Sequence, residues 1–360
     1  MTGPGTVTEG TRTLTLAGPF ALESGAALPE LTIAYRTWGR LAADGGNAGL
    51  VCHALTGSAD LHLWWPALLG PGRTLDPQRD FVVCSNVLGS CYGSSGPLSP
   101  LPGGAGHYGP AFPAVSVRDM VRAQAALLDA LGVRRLQLVV GGSLGGMQAL
   151  EWAALYPARV AAVAALAVSG RHSAWCIGLS EAQRQALYAD ALWQDGAYDP
   201  ARPPAAGLRA ARMVAMCTYR SRASFEQRFG RAATPGGEWE VAGWLRHHGQ
   251  RLGERFDANS YVTLTRAMDG HDLARGRGPY LPALASIRVP ALVVAIDSDV
   301  LYPPEEQAEL AAGLGRGRLA WLRSPHGHDA FLIEGDQANR LLLDFRRQAA
   351  SAAGIEGRVH

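Results

Sequence analysis

Lysine is absent from this 360-residue chain, and all 33 basic residues are arginine. That excludes a Walker-type phosphate loop, which needs a lysine on the nucleotide phosphates, and any chemistry that passes through a lysine Schiff base. Cysteine is scarce: Cys52, Cys84, Cys91, Cys176 and Cys217 include no C-x-x-C pair and no histidine at zinc-type spacing. An odd, unpaired set reads as reduced, mostly buried thiols rather than as a disulfide framework or a metal knuckle. Charge is thin as well. Charged residues make up 18%, the net charge is +2, and no basic run marks a nucleic-acid groove. No apolar run reaches the length of a bilayer span. The first residues, MTGPGTVTEGTRT, offer neither a basic start nor the apolar stretch of a secretory signal. A cytoplasmic protein with no nucleic-acid or membrane partner is expected.

What is present is ample apolar chain, 48% of the residues, enough for one large domain with an insertion or two domains sharing a core. Strand-like runs at 31–35, 49–52 and 81–85 are followed by a helical pattern at 117–131, then by strand-like runs at 136–140 and 160–168. This alternation predicts the α/β class with a mostly parallel, doubly wound sheet. From 171 to 280 the pattern is helical, broken by loops at 199–207 and 234–237, and the strand pattern resumes at 291–296 and 319–322 before a last helix at 336–349. The expected organisation is a core made of residues 1–170 and 281–350, a helical lid at 171–280, and a tail at 351–360. Within that tail, Ile355-Glu356-Gly357-Arg358 reads as a protease-recognition linker appended to the native chain. A Gly-, Pro- and Ser-rich loop at 93–113 is long enough to be either functional or mobile.

The most informative stretch is residues 136–152, LQLVVGGSLGGMQALEW. Its apolar start is that of a strand covered on both faces, its end is helical up to Pro157, and Gly141-Gly142-Ser143-Leu144-Gly145 lies between. With 44 glycines in the chain, roughly 0.3 matches to G-x-S-x-G are expected by chance, so the strand before and the helix after carry the argument. A serine at such a turn is held in a strained conformation with its hydroxyl exposed, as a nucleophile elbow requires. The alternative is a Gly-rich turn in which Ser143 only caps the helix.

A serine hydroxyl needs a base to take its proton and a third group to orient that base. Acid and base should follow the serine in chain order, on loops after later strands. Asp297-Ser298-Asp299 follows the strand pattern at 291–296, and Ser324-Pro325-His326-Gly327-His328-Asp329 follows the one at 319–322. Position alone leaves Asp297 and Asp299 open, and likewise His326 and His328. An oxyanion hole needs two donors. One is the backbone N–H of Leu144; the other comes from the loop after residues 49–52, at Leu55 or Thr56.

Six blocks carry a resemblance: HALTGSA (53–59), NVLGSCYGSSGP (86–97), GGSLGGMQALEW (141–152), ARMVAMCTYRS (211–221), DSDVLYPP (297–304) and GHDAFL (327–332). In this order they resemble the homoserine O-acetyltransferase family, over about residues 12–350. The resemblance implies an α/β-hydrolase fold with an inserted helical lid, and acetyl transfer from acetyl-CoA to the hydroxyl of L-homoserine on the route to methionine. Acetyl-CoA would be a co-substrate, with no resident cofactor and no metal. Matched residue by residue, Ser143 is the nucleophile, Asp299 the acid and His328 the base. Arg212 binds the substrate carboxylate with Tyr219 beside it, Asp329 binds the amine, and Thr56 is placed among the substrate contacts. A zwitterion needs a fixed cation and a fixed anion, and the planar fork of arginine suits the first task. Many relatives carry methionine where this chain has Leu144, whose backbone is the part used. The resemblance also implies a homodimer formed through the lid, and residues 89–95 are expected to help choose the acyl group. Succinyl transfer, serine as acceptor, or plain ester hydrolysis on the same fold are the alternatives.

Overall fold

The computed structural model describes residues 4–352, so the 355–358 motif assigned to an appended linker lies outside the described residues. One sheet is built from eight strands: β1 (Arg12–Ala21), β2 (Ala27–Trp38), β3 (Ala48–Cys52), β4 (Phe81–Ser85), β5 (Leu136–Gly142), β6 (Val163–Leu166), β7 (Ala291–Ile296) and β8 (Gly317–Leu322). Their order is β1-β2-β4-β3-β5-β6-β7-β8. The β1–β2 and β2–β4 pairs are antiparallel, and every pair from β4–β3 to β7–β8 is parallel.

The central strands are buried throughout because both faces of the sheet are covered, and alternate side chains feed two separate cores. Leu50 and Cys52 of β3, Val139 of β5 and Val293 of β7 point into one, with α2 (Val117–Ala130) and α3 (Leu144–Leu155) packed over it. Val51, Leu138, Val140, Leu292 and Val294 point into the other, under α1 (Leu61–Trp64) and the C-terminal helix. α2 begins where expected, on a reciprocal cap in which Ser116 accepts from the Asp119 N–H and Asp119 accepts from the Ser116 N–H. α3 is buried on nearly every side, and its Trp152 is fully buried with the indole N–H on Gln124 Oε1 at 2.8 Å. Truncating a side chain so enclosed typically costs about 3–5 kcal/mol.

Between β6 and β7 the chain leaves the sheet and forms six helices: α4 (Ala174–Tyr188), α5 (Ala205–Tyr219), α6 (Arg222–Arg228), α7 (Glu240–Arg255), α8 (Ala258–Asp269) and α9 (Tyr280–Ser286). α5 packs on both α4 and α7. After β7 come α10 (Pro304–Gly313), α11 (Ala330–Ile333) and α12 (Gly335–Ala352). α12 runs two residues into the stretch assigned to the tail. No helix among the described residues is long and apolar enough to cross a membrane.

One expectation needs correction. β6 is confined to Val163–Leu166 rather than spanning 160–168, because Ala167 turns to φ +50° and Val160 makes only an isolated bridge to Leu136. The loop at 93–113 is not free along its whole length. Ser94 Oγ accepts from the Ala34 N–H at 3.0 Å and Ser95 Oγ from the Thr32 N–H at 2.9 Å, so its first part satisfies donors of β2 that β4 is too short to reach.

Candidate active site

The parallel strands β3, β5, β7 and β8 all end at one edge of the sheet, the edge at which open α/β sheets place their ligands. The loops leaving these four strands carry the expected triad, the oxyanion donors and Asp329, whereas Arg212 and Tyr219 come from α5 of the insert.

Ser143 stands between β5 and α3 with φ +56° and ψ −126°, a strained conformation for a residue with a side chain. Two neighbours make the tight turn possible. A Cβ on Gly145 would press into the Cys52 carbonyl at the end of β3, and a Cβ on Gly142 would meet the ring of Phe331. The Ser143 N–H is bonded to the Leu166 carbonyl at 2.9 Å, which anchors the turn to the end of β6. Leu144 opens α3, where a backbone N–H has no intrahelical acceptor and is free for a ligand.

The two pairs of candidates left open by position are separated by the structure. The His328 Nδ1–H donates to Asp299 Oδ2 at 2.8 Å, with both side chains buried. The other oxygen of Asp299 accepts from the N–H groups of Leu301 (2.8 Å) and Tyr302 (3.0 Å), which fixes the carboxylate in one orientation. Asp297 instead accepts from the Ser324 N–H and the Arg323 guanidinium, and His326 Nδ1 meets Ser224 Oγ at 3.1 Å. Burial disfavours the charged form of His328. The Asp299 charge and hydrogen bond, helped by Asp329, outweigh it, and the imidazole pKa is raised.

Leu55 and Thr56 lie on the loop after β3, and the fully buried His53 holds that loop. Its Nδ1–H donates to the Ala54 carbonyl at 2.8 Å while Nε2 accepts from the Val87 N–H at 3.0 Å. Burial drives its pKa down to about 4, so the ring is a neutral clamp of fixed tautomer. A second clamp comes from the far end of α7. Arg255 donates to the Thr56 carbonyl at 2.9 Å and to the Tyr92 hydroxyl, with Thr56 Oγ1 at 3.5 Å.

A cavity of about 200 Å³ is lined by Ser143 and His328 together with Leu55, Thr56, Arg212, Tyr219 and Asp329. Of the expected residues, only Asp299, behind the histidine, and Leu144, below the turn, are not part of its wall. The Arg212 guanidinium lies 5.0 Å from the centre of the Tyr219 ring, and among the described residues no carboxylate pairs with it. Sequence reasoning missed Arg220, Arg255, Trp64, Phe331 and Leu332. Arg255 and the three apolar side chains line the cavity, and Arg220 Nε lies 3.4 Å from Asp329 Oδ2, in ion-pair range without hydrogen-bond geometry. Burial pushes the Asp329 carboxyl upward, opposed by Arg220 and Arg212. Arg220 is adjacent to Tyr219 in the ARMVAMCTYRS block, so a signal was present in the chain. No local pattern pointed to Arg255.

Residues 50–335 match the model of the α/β-hydrolase-fold family. Over 330 residues the chain is 56% identical to the homoserine O-acetyltransferase of Chloroherpeton thalassium, covering 92% of this chain and 87% of that one. Against the homoserine O-acetyltransferase of Trichormus variabilis it is 56% identical over 342 residues, 95% of each chain. Among solved structures, esterase E22 superposes with a TM-score of 0.86 at 25% identity, covering 93% of this chain and 99% of that one. The backbone is thus shared with a hydrolase, while the sequence over nearly its full length agrees far better with the transferases. The chain belongs to the homoserine O-acetyltransferase family, within the α/β-hydrolase fold.

Proposed function

We propose that the protein transfers the acetyl group of acetyl-CoA to the hydroxyl of L-homoserine, a step toward methionine, by a ping-pong route through an acetyl-Ser143 intermediate. The observation that carries the reading is the single small cavity in which Ser143 and His328 face Arg212 and Asp329. A nucleophile and its base alone would serve any ester. A cation and an anion in the same wall are what an amino acid acceptor requires.

In the first half-reaction His328 Nε2 takes the Ser143 proton as Oγ attacks the thioester carbonyl carbon. The developing oxyanion is held by the N–H of Leu144 and a donor of the loop after β3, at Leu55 or Thr56. Collapse breaks the C–S bond, and the CoA sulfur leaves with the proton from His328. In the second half-reaction the homoserine hydroxyl gives its proton to His328 and attacks the acetyl carbon. Ser143 Oγ departs and recovers the proton. Asp299, held by two backbone N–H groups, engages Nδ1 of the imidazole, which leaves Nε2 as the base, and stabilises its charged form. The apolar Trp64, Phe331 and Leu332 restrict water around the acetyl-serine, which otherwise would hydrolyse. Assembly as a homodimer through the helical insert belongs to the same reading.

The similarity to esterase E22 makes hydrolysis the second reading. CoA release from acetyl-CoA, followed with and without homoserine, separates the two. The proposal expects release to be strongly homoserine-dependent and O-acetylhomoserine to appear by mass spectrometry, with succinyl-CoA and serine as poorer substrates. CoA release at equal rates with and without homoserine, yielding free acetate, would establish hydrolysis instead.

A further inference from the structure

The helical insert holds the loop behind Asp299 as well as the histidine loop and the loop after β3. The segment leading into α4 and the first turn of α4 meet residues 300–302 at three points. The Trp175 indole N–H donates to the Val300 carbonyl at 2.8 Å, the Cys176 thiol to the Leu301 carbonyl at 3.1 Å, and His172 Nδ1 meets the Tyr302 hydroxyl at 3.2 Å. The same residues 301 and 302 give their N–H groups to Asp299. Leu301 is therefore bonded on one side by the acid and on the other by the insert. His172 is itself fixed: its backbone N–H is on the His271 carbonyl at 2.9 Å, and its Nε2 lies 3.6 Å from Asp269, which Arg184 holds at 2.7 Å. Nothing in the chemistry of acyl transfer requires a buried cysteine or this histidine, yet both are spent on one three-residue stretch.

We propose that His172, Trp175 and Cys176 are positioning residues for Asp299, so that the alignment of acid and base depends on the seating of the insert on the 300–302 loop. The inference rests on the proposed roles of Asp299 and His328. Among the described residues, the two N–H groups of this loop are the hydrogen bonds made to Asp299 Oδ1. A shift of a fraction of an ångström in Leu301 and Tyr302 lengthens the 2.8 Å contact with His328, and misplacement on the order of 1 Å at such a site is known to cost about 100-fold in rate. Tyr302 adds a second route, since its ring lies 5.4 Å from that of His328 and forms part of the wall that orients the imidazole. The loops of the histidine and of the oxyanion donors have their own holds, Ser221 on the Pro325 carbonyl and Arg255 on Thr56, so the acid can be perturbed separately.

The test uses the full-length protein and the double variant Trp175→Phe/Cys176→Ala, which removes two donors while keeping an aromatic ring and a small apolar side chain. Acyl-enzyme formation is read from the burst with p-nitrophenyl acetate, homoserine KM from steady-state transfer, the His328 pKa from histidine NMR titration, and assembly from light scattering. The titratable groups that face the His328 ring are Asp299, Asp329, Tyr219 and Tyr302, and only Asp299 and Tyr302, which meet the 300–302 loop, are expected to move. The expected result is a burst slowed about 10-fold with homoserine KM within about twofold and a His328 pKa lower by roughly half a unit, because its anionic partner is less closely held. Cys176→Ser, whose hydroxyl can still donate to Leu301, restores most of the rate relative to Cys176→Ala. Trp239→Phe, elsewhere on the insert, changes nothing. A double variant with the burst rate and the His328 pKa of the wild type would overturn the inference. Should the double variant not fold, Trp175→Phe alone, at an indole more than half exposed, must show the same downward pKa shift or the inference fails. The NMR reading does not depend on turnover, so absence of transfer in the wild type counts against the functional reading and not against this one.

Discussion

Replacing Asp299 by asparagine preserves the shape of the side chain and reverses hydrogen-bond polarity at a single atom. Asp299 Oδ1 accepts two backbone N–H groups, from Leu301 and Tyr302, whereas Oδ2 accepts one imidazole N–H. An amide can satisfy either side. Turning its oxygen toward His328 sets its NH2 against two backbone donors, so the oxygen stays on the loop and the NH2 faces His328 Nδ1. The imidazole then has to present Nδ1 as an acceptor and carry its proton on Nε2. In that tautomer Nε2 has no lone pair for the Ser143 proton. Losses of this kind amount to about 10³–10⁴ in rate, about 4–5.5 kcal/mol of transition-state stabilisation.

The pH dependence supplies an independent reading of the same variant. His328 acts as a base only when neutral, so the rate rises as pH climbs through its pKa. In the wild type burial pulls that pKa down, but Asp299 and Asp329 outweigh it and the net shift is upward, which places the acid limb above the ordinary histidine range. In Asp299→Asn the burial effect remains while the largest opposing charge is gone. The residual activity is therefore expected to have its acid limb displaced to lower pH, measured by single-turnover acylation with p-nitrophenyl acetate across the range in which a histidine titrates. A variant that keeps more than about a tenth of the wild-type rate, with its acid limb unmoved, would refute the tautomer argument and the role given to the acid.

Arg212→Lys keeps the charge but removes the planar fork, and kcat/KM for homoserine should fall about 10–100-fold while the p-nitrophenyl acetate burst is unchanged; an unaltered homoserine KM would take the substrate carboxylate away from this residue. Thiol titration under native conditions should find a single fast-reacting group, Cys217, because the other four cysteines are buried and burial drives Cys52, Cys91 and Cys176 up to about 12 and Cys84 well above the usual thiol value. Denaturation should release all five, and two or more fast thiols in the native protein would contradict the packing around β3 and β4.

The parts of this fold that were readable in the chain are those in which one local pattern forces one local structure. The apolar run of β5 and the glycines around Ser143 could be placed because a strand buried on both faces and a turn too tight for a Cβ leave few alternatives. β1 was not anticipated although Leu14, Leu16 and Phe20 lie on its half-buried side. Gly18-Pro19 in its middle reads as a turn, and the structure absorbs that pair in a register shift between Ala17 and Phe20. The composition of the loop at 93–113 left it open as functional or mobile, and it held no sign that the hydroxyls of Ser94 and Ser95 act as partners for the backbone of β2. Long-range side-chain contacts were out of reach for a different reason. Arg255 and Thr56 are 199 positions apart, and no periodicity records that the end of α7 comes back over the loop after β3.

Arg220 changes the logic of amine recognition. A carboxylate can hold an ammonium group only while it is ionised, and burial works against ionisation of Asp329. Three charges oppose that effect: Arg220, at 3.4 Å, then Arg212, which in the proposed reading is occupied by the substrate carboxylate, and His328. In that reading, once the acceptor has taken Arg212, Arg220 is the fixed charge left to favour the anionic form of Asp329. Its contact lacks hydrogen-bond geometry, so the carboxylate oxygens remain available to the incoming ammonium. The ion pair is also a link between elements, because Arg220 immediately follows α5, which carries Arg212 and Tyr219, while Asp329 immediately follows His328. In the proposed reading, recognition of both ends of the amino acid and the placement of the base are thus joined through one loosely aligned ion pair, which gives a residue with no contact to the reacting atoms a reason to lie beside Asp329.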